Sequence, residues 1–265
     1  MHLKRLIIAA ILLPLIYLYI TILAPEYFLF LLLLAAAAAQ YEFYSMYNVR
    51  GALRYAGIGF GSAVILHMFF LGTFSADLFI FLFLAIVTLR LFLRRNPSSA
   101  LHDASSVVTA VIYIPWLLGY QLYLRENGAE WIIFLYGCVW ASDSLAYYIG
   151  KGIGKRRLYE EVSPNKTIAG GVGSIAGGTA GAVILKIAVV NSIPLSLTQA
   201  AVLGMLIGIV TIIGDLVESM FKRDAGVKDS SGIVPGHGGI LDKIDSMLFA
   251  GPVLYWISVI FGLIK

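Results

Sequence analysis

Apolar residues in this chain come in runs of about twenty, and short polar segments separate the runs. Nine can be drawn, at roughly 6–24, 27–46, 52–73, 76–93, 104–123, 130–150, 168–190, 196–221 and 243–264. About twenty apolar residues in a helix match the hydrocarbon thickness of a bilayer, and a chain in lipid must pair its backbone polar groups internally. The runs do not alternate apolar with polar positions as the strands of a membrane barrel would. The pattern predicts an all-α, polytopic integral membrane protein of about nine transmembrane helices. The longest connections reach only about 20 residues, too few for a soluble domain between spans. Composition agrees. Of 265 residues, 60% are hydrophobic and 13% charged, whereas soluble domains carry about 25% charged residues.

Charge then orients the chain. With the N-terminus in the cytoplasm, fifteen of the nineteen Lys and Arg fall in segments on the cytoplasmic side or at their edges. The opposite segments hold only Arg125 and Lys265, while Lys186 lies within a run and Lys243 at the edge of one. Cytoplasmic loops carry such an excess. The two polar, glycine-rich connections, 151–167 and 222–242, are therefore expected to face the cytoplasm. A net charge of +4 then describes a face that attracts the lipid bilayer's anionic headgroups or an anionic substrate. No nucleic-acid-binding module is visible. Lys4 and Arg5 precede the first run as in a signal peptide, but the run is long and Pro25 directly follows the best small-residue site, Ala24. A retained first helix in a bacterial cytoplasmic (inner) membrane is the expectation. The single Cys138 lies inside a run and builds no disulfide framework.

The chain changes character near residue 130. Residues 1–129 read as scaffold or as the wall of a lipid-access groove, and 130–265 as the catalytic region. Small residues recur at three- and four-residue spacing in "IAGGVGSIAGGTAGA", from Ile168 to Ala182. Such a face suits close helix packing, within a chain or between copies in a homo-oligomer. Carboxylates gather near the cytoplasmic ends of three runs: Asp143; Asp215 and Glu218; Asp242 and Asp245. Each is costly in a membrane span unless paired or hydrated. Pairing with lysine is one reading, with Glu218 four residues before Lys222 and Asp242 beside Lys243. Carboxylates meeting at one depth repel unless a cation lies between them, and hard oxygen donors favour Mg²⁺. Asp242 and Asp245 share one helix face.

The loops add the complementary chemistry. Gly238 and Gly239 follow His237 just before a run, where a backbone free of side chains and a helix start can hold an anion. Ser163, Pro164, Asn165, Lys166 and Thr167 lead into the seventh run, with Lys166 placed to reach a phosphate as a point charge. Lys155, Arg156 and Arg157 read as a polybasic lipid contact. Neither loop matches a P-loop. Two basic, glycine-rich loops beside clustered carboxylates point to nucleotide phosphates with Mg²⁺.

The stretch "SMFKRDAGVKDSSGIVPGHGGILDKIDS", Ser219 to Ser246, resembles the signature of the phosphatidate cytidylyltransferases. The matching positions are Ser219, Lys222, Arg223, Lys228, Asp229, Pro235 to Gly239, Asp242 and Asp245. "GDLVES" (Gly214 to Ser219) and "SDSLAYYIGKGIGK…SPNKT" (Ser142 to Thr167) are similar too. Lys243 stands where the family has arginine, Asn165 where it has lysine, and Ile168 and Ala169 replace an aromatic–acidic pair. The resemblance implies that CTP and phosphatidic acid give CDP-diacylglycerol and pyrophosphate, with one Mg²⁺ or a second cation beside it. It further implies Asp215, Asp242, Asp245 and Asp143 as metal ligands. Lys166, Lys222, Arg223, Lys228 and His237 would then contact phosphates, with Ser163, Gly238, Gly239 and Lys243 lining the same substrate site. A phosphate monoester is largely a dianion at neutral pH, so no general base is required. A CTP-dependent lipid-alcohol kinase and a cation-coupled transporter are the rival readings.

Overall fold

The computed structural model describes residues 15–72, 76–94, 96–190, 192–232 and 238–264. Within them the chain is helical almost throughout: α1 (residues 15–22), α2 (Pro25–Met46), α3 (Ala52–Leu71), α4 (Ala76–Leu93), α5 (Ala100–Val111), α6 (Leu117–Glu126), α7 (Ala129–Ile153), α8 (Ile168–Ala188), α9 (Leu197–Asp224) and α10 (Leu241–Ile260). Among the described residues, seven helical rods are long and apolar enough to cross a membrane. The protein is thus an all-α polytopic membrane protein. Eight of the nine apolar runs coincide with helical rods, and the first run lies partly outside the described residues.

Two local departures have physical causes. The fifth run is one rod, Ala100–Glu126, broken by a π-helical turn at Ile112–Trp116. Pro115 lies inside that turn; it has no N–H to donate and crowds the preceding carbonyl, and a wider turn absorbs both defects. The connection 151–167 is not an open loop. It folds into an antiparallel hairpin of β1 (Arg157–Tyr159) and β2 (Ser163–Thr167). Strand β2 runs directly into α8, and Thr167 Oγ1 caps that helix by accepting from the Gly170 N–H at 3.1 Å.

Glycine sets the spacing of the second half, where α7 packs on α8, α8 on α9, and α9 on α10. A methyl group on Gly204 would overlap the Gly178 carbonyl, and one on Gly208 would lie 2.6 Å from the Ser174 carbonyl oxygen. A methyl on Gly173 would lie 2.8 Å from the carbonyl oxygen of Leu145 in α7. Gly214 brings α10 equally close to α9, since a methyl there would meet the Asp245 carbonyl oxygen at 2.8 Å. Backbone approach of this kind is available only where side chains are absent.

The first half is tied to the second by polar groups. The free N–H groups at the start of α10 have no capping side chain at Ile240. Instead Glu42 of α2, only 1% exposed, accepts from the N–H groups of Ile240 (2.9 Å) and Leu241 (2.8 Å). The same carboxylate accepts from the hydroxyls of Ser230 (3.1 Å) and Ser231 (2.7 Å). Tyr47, just beyond α2, donates to Asp224 at 2.9 Å and to the Phe221 carbonyl at 3.3 Å. Burial, with Asp224 beside it, pushes the Tyr47 phenol up, so it stays a donor. Asp103 of α5 binds Arg90 (2.6 Å) and Arg94 (2.9 Å) and closes the turn after α4.

Two stability predictions follow from these contacts. Gly204→Ala should destabilise the protein by about 1–3 kcal/mol through overpacking, whereas Gly59→Ala, on an open face of α3, should leave the thermal midpoint in detergent unchanged or higher. Glu42→Ala should cost at least about 2 kcal/mol, because two buried N–H groups lose their acceptor. Glu42→Gln, which keeps one carbonyl oxygen, should cost less. Equal midpoints for Glu42→Ala and wild type would contradict the capping role.

Candidate active site

The polar connections and the carboxylate-bearing helix ends meet around one cavity of about 760 Å³. Its volume exists because Gly170, Gly171 and Ser174 give α8 a wall with little side chain there. The small-residue face of α8 thus has two uses. Gly170, Gly173 and Gly178 sit in helix contacts, and Gly171 beside them leaves space.

Four of the expected carboxylates, Asp143, Asp215, Asp242 and Asp245, line this cavity together with Lys166 and Lys222. Asp143 comes from α7, Asp215 from α9, and Asp242 and Asp245 from the first turns of α10. Gly214 sets the juxtaposition of Asp215 and Asp245, because the backbone it lets approach α9 is that of Asp245 and Ser246. Lys166, on β2, reaches across to Asp215 with Nζ 2.7 Å from Oδ2. Lys222 is held by two acids, Glu218 one turn earlier in α9 and Asp242 at 2.6 Å.

The carboxylates fall into two kinds. Asp242 is saturated: Oδ1 takes the Lys222 ammonium, and Oδ2 accepts from the Ser230 N–H (3.0 Å), the Ser230 hydroxyl (2.6 Å) and the Gly239 N–H (2.8 Å). Gly238, at φ +82°, makes the turn that aims Gly239 at Asp242; a side chain on it would press on that carboxylate. Asp215, Glu218 and Asp245 instead bring one oxygen each to within 4.8 Å of one another. Three hard, anionic oxygen donors converging on one point are the donor set that Mg²⁺ takes, so these residues fit the group better than Asp242 does. Thr211 adds a buried hydroxyl to the cavity wall that has no partner among the described residues.

Other expected site residues lie elsewhere. Ser163 begins β2 outside the cavity wall. Arg223 fastens the hairpin to α9, donating to the carbonyls of Val162 (3.2 Å) and Val227 (3.0 Å). Lys228 and Lys243 are exposed and do not line the cavity. His237, with Pro235 and Gly236, lies outside the described residues. The sequence reading missed Glu218 as a member of the converging set, though its i,i+3 spacing from Asp215 places both on one helix face. It also missed Glu42, which signals nothing locally. Arg157, read as a lipid contact, and Lys151 both reach the cavity wall.

Comparison with known proteins identifies the family. The sequence profile of the Cytidylyltransferase family matches residues 3–261. A phosphatidate cytidylyltransferase of Bacillus subtilis (strain 168) is 31% identical over 270 residues, covering 98% of each chain. One from Synechocystis is 46% identical over 132 residues, 48% of this chain and 43% of that protein. One from Staphylococcus aureus (strain COL) is 38% identical over 156 residues, 57% of this chain and 58% of that protein. With a profile that spans nearly its whole length and a relative aligned end to end, the chain belongs to the cytidylyltransferase family of nucleotide-transferring enzymes.

Proposed function

We propose that this enzyme transfers the cytidylyl group of CTP to phosphatidic acid, giving CDP-diacylglycerol and pyrophosphate. The observation that carries the reading is a single cavity that joins four aspartates, three lysines, Arg157 and an apolar lip. Tyr147 and Leu158, both exposed, stand in the same wall as Asp215 and Lys166. A two-chain lipid needs an apolar approach, whereas a nucleotide triphosphate needs charge and an aqueous one. The excess of Lys and Arg on one side of the chain supports a cytoplasmic position for that aqueous side, at a bacterial inner membrane.

Asp215 and Asp245 of the cavity wall, with the fully buried Glu218, would hold Mg²⁺, and Asp143 lines the same wall. When bound, the cation offsets charge on the CTP phosphates and on the departing pyrophosphate. Lys166 and Lys222 are the positive groups that turn to the phosphates, and the acids that hold them keep both side chains at the cavity. The His237 segment and the Gly238–Gly239 backbone supply further phosphate contacts. The lipid phosphate attacks the α-phosphorus in line. Its oxygen forms the new P–O bond, the bond from the α-phosphorus to the β-phosphate oxygen breaks, and pyrophosphate carries away that electron pair. The attacking phosphate is already a dianion, so the protein needs to remove no proton. Catalysis comes from holding two anions against each other's repulsion.

The test is product analysis on protein purified in detergent, with CTP, phosphatidic acid and Mg²⁺. Wild type should release pyrophosphate and form CDP-diacylglycerol. Asp215→Asn and Asp245→Asn should lower the rate by about 10²-fold or more with little change in thermal midpoint. Asp242→Asn should lower both rate and midpoint, because Asp242 also anchors Lys222, Ser230 and Gly239. CDP in place of pyrophosphate would make the enzyme a lipid kinase. Folded protein with no CTP turnover would overturn the assignment and leave cation-coupled transport to be measured in sealed vesicles.

A further inference from the structure

The cations that line the cavity are of two kinds. Lys166 faces Asp215, and Lys222 lies between Glu218 and Asp242, so acids already offset both charges. Lys151 and Arg157 stand in the same wall, exposed, and neither forms an ion pair among the described residues. The uncancelled positive charge of the cavity is therefore concentrated at these two residues.

Their place in the fold separates them from the acids. Asp143, Tyr147 and Lys151 recur every four residues and share one face of α7, which lines the cavity. Asp143 stands among the acids, and Lys151 begins about 12 Å further along the axis, toward the hairpin. The Lys151 ammonium rests over the Tyr147 ring, 5.6 Å from its centroid, which holds the charge against the wall. Arg157 opens β1 and pairs with Thr167 across the hairpin, so its backbone is fixed in the same wall. Tyr147 and Leu158, both exposed, add apolar surface beside the two cations. A ligand received there needs negative charge at one end and hydrocarbon next to it. A nucleoside triphosphate lacks the hydrocarbon, and a phosphorylated diacyl lipid has both.

We propose that Lys151 and Arg157 form the subsite that receives the terminal phosphate of a diacyl lipid, with Tyr147 and Leu158 against the hydrocarbon that follows it. The inference rests on the lipid-substrate reading given above and assigns residues to it. Two uncancelled cations match a phosphate monoester, whose charge is about −2 at neutral pH, whereas a phosphodiester headgroup carries a single negative charge on its phosphate. The Arg157 guanidinium can present paired N–H donors to two phosphate oxygens, and the Lys151 ammonium adds a point charge. The subsite thereby favours phosphatidic acid over the diester phospholipids around it, and it leaves the acid-held Lys166 and Lys222 to the nucleotide.

The experiment has a binding arm and a kinetic arm, both on the purified full-length protein in detergent. Native mass spectrometry without CTP compares retention of phosphatidic acid with that of phosphatidylcholine of the same acyl chains. Wild type should retain phosphatidic acid preferentially. The double variant Lys151→Gln with Arg157→Gln should lose that preference and keep the wild-type thermal midpoint, since both side chains are exposed. In mixed micelles with CTP and Mg²⁺, each single variant should need about 5–10-fold more phosphatidic acid, by mole fraction, for half-maximal rate. The CTP requirement should not change. Arg157→Lys, which keeps the charge and loses the paired donors, should fall between wild type and Arg157→Gln. An unchanged phosphatidic acid requirement overturns the proposal, as does a raised CTP requirement, which would assign the two cations to the nucleotide. An equal shift in Arg50→Gln, an exposed cation outside the cavity wall, overturns it too, because attraction by a charged face would then suffice. Wild type that retains phosphatidic acid through these residues but releases no pyrophosphate supports the subsite and overturns only the reaction.

Discussion

A helix that starts inside an apolar protein must find acceptors for its first N–H groups, and α10 finds them in carboxylates. Glu42 reaches it from α2, and Asp242 folds back from its own first turn onto Gly239 and Ser230. Negative charge at that end also suits the helix dipole. Everything chemical in the cavity leans on this junction. Asp242 fixes Lys222, Lys222 neutralises Glu218, and the first turns of α10 present Asp245 to Asp215. One helix start thus organises two halves of the chain and the charges between them.

Close backbone approach is the second requirement. Had Gly204, Gly208 or Gly214 carried side chains, α8, α9 and α10 would stand further apart, and the acids on them would not converge. Near the start of α8 Gly170 still packs on α7, but Gly171 beside it meets only side-chain tips and borders the cavity. Packing and emptiness come from one composition, and the neighbouring element decides which of them results.

Much of this was readable from the chain. The apolar runs located the rods, since their period and length are dictated by lipid. The position of Asp143, Asp215, Asp242 and Asp245 at corresponding helix ends foretold that they would meet. What was not readable depends on partners far away in sequence. Glu42 looks like an ordinary polar residue near a span end, and its partners Ser230, Ile240 and Leu241 lie 188 to 199 positions later. Pro115 was visible, but the π-helical turn around it has no sequence pattern of its own. Helix spacing offered Lys222 as one partner for Glu218, and that pair does form. Spacing alone could not show that Asp245 would arrive on the same side. The hairpin escaped because its strands span only three and five residues, too short for an alternating pattern.

The join between that hairpin and α8 has a mechanical meaning. Strand β2 ends at Thr167 and the helix begins at Ile168, with Thr167 itself capping the first turn. No residue is left over to act as a pivot. Lys166 is therefore mounted on a rigid corner, and its charge can be redirected only by rotation about the bonds of its own four-carbon stem. Charge inside the cavity can be rearranged on the timescale of a side-chain rotation, while the walls stand still.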